Sequence, residues 1–88
     1  MNAPIDMLTI AVTKVRPYLN RSIPVTQRIR TLWAGVVAAR RLGADDVITE
    51  AFTDLAIASG LAADLGHHAD EDLEHVIRWG LLNRDPFG

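Results

Sequence analysis

Cysteine is absent from this 88-residue sequence. That excludes a disulfide staple, a thiolate nucleophile and a cysteine-based zinc site, so stability must come from packing or from association. Histidine is scarce and confined to positions 67, 68 and 75. The longest apolar run, from Leu32 to Ala39, is far too short to span a bilayer. No basic leader followed by an apolar stretch opens the chain, which leads us to expect a cytoplasmic protein without a membrane partner. No internal repeat and no low-complexity linker divides it. What is present is ordinary for a globular chain, with 49% hydrophobic and 23% charged residues. At this length, a single domain should bury roughly 60–65% of the surface of its unfolded chain.

Basic residues are scarce in one half and acidic residues in the other. Residues 1–43 contain seven Lys/Arg and only Asp6, whereas residues 44–88 contain ten Asp/Glu and only Arg78 and Arg84. The halves carry +6 and −8 beneath a net charge of −2. Segregated charge can join the halves to each other, to a second copy or to a charged partner.

The apolar spacing predicts an all-α bundle of about four helices in one domain, near residues 5–16, 24–42, 46–59 and 69–82. In the first segment Ile5, Leu8, Val12, Val15 and Leu19 line one helical face. The β-branched residues there, and the alternation of Leu8, Ile10 and Val12, leave an extended arm open for residues 8–15. Pro24 fits the first turn of the second helix, whose stripe is Ile29, Leu32, Trp33, Val36 and Val37, with Arg40 and Arg41 in the last turn before Gly43. Asp45 or Asp46 is placed to cap a third helix with Ile48, Ala51, Phe52, Leu55 and Ala58 on one face. Leu61 to Gly66 suits one extra turn. The last helix puts Ala69, Leu73, Val76, Ile77, Gly80 and Leu81 on a common face, with acids at its N-terminal end and Pro86 after its stop.

The basic half raises the question of nucleic acid, with Arg28, Arg30, Arg40 and Arg41 as candidate phosphate contacts. At 100° per residue these arginines girdle the helix more than they form one stripe, and the pI of 5.8 is far from strongly basic. Phe52 to Gly66 resembles the first part of a helix-turn-helix, with Leu55, Ala56, Gly60 and Leu61 at its apolar, alanine, turn-glycine and apolar positions. The resemblance covers about ten residues. A recognition helix following it would present Asp64, Gly66, Asp70 and Glu71 where Arg, Asn or Gln are wanted.

His68, Asp72 and His75 are spaced i, i+4, i+7, with Glu71 close by, a permissive pattern for a metal on one side of a helix. No second element supplies a closing ligand, and acids at a helix start have a plain structural reason, so no metal or other cofactor is expected. Acid-base work by His75 and Glu71 likewise lacks an oxyanion hole or a phosphate-binding loop, so no enzymatic activity is expected.

Trp79, Leu82 and Phe87 form a candidate aromatic patch for a partner near the C-terminus. Ala34, Gly35, Ala38, Ala39, Ala56 and Ala58 are small enough for helices to approach closely, within a protomer or between two. The expectation from sequence is a non-enzymatic interaction or regulatory module that binds itself or another protein through complementary charge and that patch. The alternative is a nucleic-acid-binding module using the basic half.

Overall fold

The computed structural model describes residues 3–87, with side chains from residue 6 onward. The described residues form four main helices: α1 (Ala3–Val15), α2 (Val25–Ala39), α3 (Asp45–Ala58) and α5 (Ala69–Leu81). The five-residue α4 (Leu61–Leu65) lies between the last two. Single 3₁₀ turns follow α1 at Arg16–Leu19, follow α2 at Arg40–Leu42, and join α4 to α5 at Gly66–His68. No strand occurs among the described residues.

Residues 8–15 are helical, because packing rewards the helical spacing over the alternating one: Leu8, Val15 and Leu19 are buried on one side while Ile10 faces out. Ile5, expected on the same face, lies outside the residues whose side chains are described. Pro24 turns out to be the N-cap of α2, not a member of its first turn, and its carbonyl accepts from the Gln27 and Arg28 amides. Ala44 occupies the N-cap of α3 and makes no side-chain hydrogen bond there. Asp45 and Asp46 fall one step later, in the first turn, where they act on the positive end of the macrodipole instead of capping an amide. Arg40 and Arg41 lie in the 3₁₀ turn that tightens the end of α2.

Leu19, Leu32, Val36, Ile48, Phe52, Leu61 and Ile77 form the centre of the core, all fully or almost fully buried. The buried face of α2 runs through Arg28, Leu32, Gly35, Val36 and Ala39, leaving Ile29, Trp33 and Val37 half-buried. Small residues explain this rotation. A Cβ on Gly35 would stand 2.6 Å from Val15 Cγ2 and 2.9 Å from Phe52 Cε1, so only glycine lets α1 and α3 both close on α2 there. At the other side, a Cβ on Gly80 would stand 2.7 Å from Val36 Cγ1, which shows how tightly α5 crosses α2.

An ion-pair cluster locks the α1–α2 connection onto α4. Arg21 holds Asp64 with two bonds, Nη2 to Oδ1 at 2.6 Å and Nε to Oδ2 at 3.2 Å. Arg28, 4% exposed, donates from Nε to the Ile23 carbonyl at 2.8 Å. Its Nη1 lies 2.8 Å from Asp64 Oδ2 but off the N–H direction, an ion pair without an aligned hydrogen bond. These contacts hold the Asp64 carboxyl at about 2, the Arg21 hydrogen bond being the largest cause and Arg28 the next, against partial desolvation. Gly60 adopts φ +85°, and the Arg21 side chain lies across it on the way to Asp64, so a larger residue would be both strained and in the way.

Candidate functional site

The clearest unsatisfied surface is an apolar groove between α1 and α2. Met7, Ile10 and Lys14 of α1, with Tyr18 of the 3₁₀ turn after it, form one side, and Thr31, Ala34, Gly35 and Ala38 of α2 form the other, enclosing about 430 Å³. Met7, Ile10 and Tyr18 are 56%, 54% and 62% exposed, half of the six large apolar side chains that stand in solvent among the described residues. The groove exists because α1 has two apolar faces. One, through Leu8 and Val15, enters the core, while Met7 and Ile10 follow a second line one step around the helix. The α2 wall is low because Ala34, Gly35 and Ala38 have little or no side chain, and among the described residues the lining carries one charge, Lys14, and no carboxylate. Exposed apolar side chains gathered around a depression of small residues suit a protein contact better than they suit water.

A second groove of about 530 Å³ runs between α3 and α5. Asp45, Asp46, Asp70 and Glu74 surround a floor of Leu73, Ile77 and Leu81, with Arg78 paired to Glu74 at 2.6 Å. Its apolar floor is core, since Leu73 and Ile77 are buried. This places the acidic half's charges on a wetted wall, and no histidine lines it.

The C-terminal residues are divided between separate contacts. The Asn83 backbone takes φ +54° and the Arg84 amide donates to the Trp79 carbonyl at 2.8 Å, closing α5 with a left-handed cap. Trp33 Nε1 donates to the Arg84 carbonyl at 2.8 Å, and Phe87 packs edge-on against Trp33 at 6.0 Å. The Arg30 guanidinium lies 4.6 Å above the Phe87 ring. Phe87 is therefore drawn onto α2. Trp79 is half-buried beside His75, with ring centres 4.8 Å apart, and Leu82 stays 58% exposed. Of the three residues of the expected patch, Phe87 packs with Trp33 and Arg30, Trp79 with His75, and Leu82 is exposed.

The four arginines considered for nucleic acid also part company. Arg28 is buried against Asp64, and Arg30 is committed to Phe87. Arg40 is half-buried with a shielded, unpartnered Nε, while Arg41 is exposed. The helix-turn-helix resemblance stops at α4, a helix of five residues ended by Gly66, with no room for a reading helix.

His68, Asp72 and His75 are not brought together. His68 is 76% exposed with Nδ1 3.7 Å from Glu71, and His75 lies on Trp79. Among the described residues no three His, Cys, Asp or Glu side chains gather as a metal would need. No described helix is long and apolar enough to cross a membrane.

Sequence reasoning missed the α1–α2 groove, although a signal was there: Met7, Ile10 and Tyr18 recur on a helical line offset from the Leu8–Val15 line. Alternation across β-branched residues obscured it. The Arg28–Asp64 pair carries no local signal, since its members are 36 positions apart. Comparison of the chain with protein-family models, with curated proteins and with solved structures finds no match.

Proposed function

We propose that this chain is a non-enzymatic protein-interaction module whose contact surface is the α1–α2 groove. The observation that carries the reading is the clustering of Met7, Ile10 and Tyr18, each more than half exposed, around Ala34 and Ala38. Leaving such side chains wet forgoes about 1.5–3 kcal/mol for each one that could be fully buried, an expense that a partner surface would recover. Charge plays a supporting part. The basic half supplies Lys14 at the groove, and the acidic residues on α3 and α5 keep that other surface hydrated and disfavour non-specific apolar contact there.

Photo-crosslinking in the producing cell tests this reading. A benzophenone amino acid placed at Ile10 or Ala38 should give defined protein adducts, and the same group at the exposed Ile57 on α3 should not. Absence of adducts from both groove positions would overturn the proposal.

A further inference from the structure

We propose that the occupant of the groove is α1 of a second copy of this chain, crossing antiparallel about Ile10 to form a two-fold dimer. The inference rests on the protein-interaction reading above and adds the partner. An isologous interface must be complementary to itself, so any charge on it needs its opposite at the symmetry-related place. The exposed face of α1 meets that demand. Asp6 and Lys14 are both exposed, and each stands four residues from Ile10, on opposite sides of it. At 1.5 Å and 100° per residue, both lie about 6 Å along the helix from Ile10 and about 40° to either side of it. A two-fold axis passing between the two Ile10 side chains sets Asp6 of each copy opposite Lys14 of the other, twice over.

Other registers are worse. Centring the pair on Lys14 would face two ammonium groups, and centring it on Met7 would set Asp6 opposite Leu8, away from Lys14 of the partner. In the Ile10 register, Met7 and Ile10 of one copy lie over the low wall of Ala34 and Ala38 in the other, where α2 carries no long side chain to obstruct them. The result is a four-helix layer of two α1 and two α2 helices, which covers the Met7 and Ile10 side chains that one copy leaves wet.

Sedimentation equilibrium at low salt on the full chain, with Lys14→Glu, Asp6→Lys and the double exchange Asp6→Lys/Lys14→Glu, tests the proposal. All the changed positions are exposed, and circular dichroism checks that each variant is folded. The parent chain should dimerise, either single reversal should weaken the dimer roughly tenfold or more, and the double exchange should restore it to within about threefold. Ile10→Glu should leave monomer. A double exchange as weak as the singles overturns the register, and a parent chain that stays monomeric at millimolar concentration overturns self-pairing. In that last case, crosslinks from Ile10 to a different protein would leave the interaction reading standing, whereas no groove crosslinks would remove both.

Discussion

Replacing Gly35 by Ala sets two known effects against each other at a place where the structure decides the winner. Alanine in mid-helix is favoured over glycine by about 1 kcal/mol. The added methyl would meet Val15 Cγ2 at 2.6 Å and Phe52 Cε1 at 2.9 Å, both below any normal carbon–carbon contact. Val15 is 9% exposed and Phe52 is fully buried, so neither can swing into solvent. Relief therefore needs α1 and α3 to shift together, which places the cost at the upper end of the ~1–3 kcal/mol typical of overpacking. The net expectation is a loss of about 2 kcal/mol, a lowering of Tm by about 8–16 °C. That is a large part of the roughly 4–13 kcal/mol available to a domain of this size. Urea unfolding followed by far-UV circular dichroism should show a lower midpoint with an unchanged slope. In a Val15→Ala background, which removes the nearer clashing atom, the same substitution should cost less than about 1 kcal/mol. Gly35→Ala that is neutral or stabilising in the parent chain would refute the close approach of the three helices, and with it the low wall of the groove.

Two further outcomes follow from the ion-pair cluster and the C-terminal stack. Asp64 gives up its proton more readily in the folded chain than its ordinary value of 3.8 allows, so its contribution to stability is complete above about pH 4 and fades as pH falls toward 2. Unfolding measured across that window should show the loss, and Asp64→Asn, or to a lesser degree Arg21→Ala, should flatten it; an unchanged slope in Asp64→Asn would show that other carboxyls carry the effect. Phe87→Ala should expose Trp33 and shift its emission to the red, read in a Trp79→Phe background to isolate the one indole; an unshifted spectrum would mean that Phe87 does not shield the ring.

Helix periodicity made most of the architecture legible in the sequence, because Leu32, Phe52, Leu73 and Ile77 report burial through spacing alone. Caps were less legible. Pro24 and Ala44 open their helices by backbone geometry, Pro24 one step before the first turn where it was expected and Ala44 in place of an aspartate cap, and their roles depend on how the preceding loops enter the helix. The site was the least legible part. A packed helix ordinarily carries one apolar stripe, and α1 has two. Phe87 reads as an anchor in sequence because aromatic residues near a terminus have no visible neighbour, yet Trp33, 54 positions earlier, receives it. The charge split was legible, but part of its use was not: Arg21 and Arg28 spend their charge within the molecule on Asp64.

The turn at Gly43 gives that charge split another meaning. Gly43 is exposed, with nothing within 4 Å of where a side chain would begin, and it divides the +6 segment from the −8 segment. Across this divide Leu32 and Val36 belong to the same core cluster as Phe52, Leu61 and Ile77, and Asp64 receives both Arg21 and Arg28. The domain is thus organised as two oppositely charged polypeptides tethered by one peptide link, which supplies a high effective concentration. Severed at that link, the two pieces would find each other by long-range attraction, and their rate of reassembly would drop as ionic strength rises.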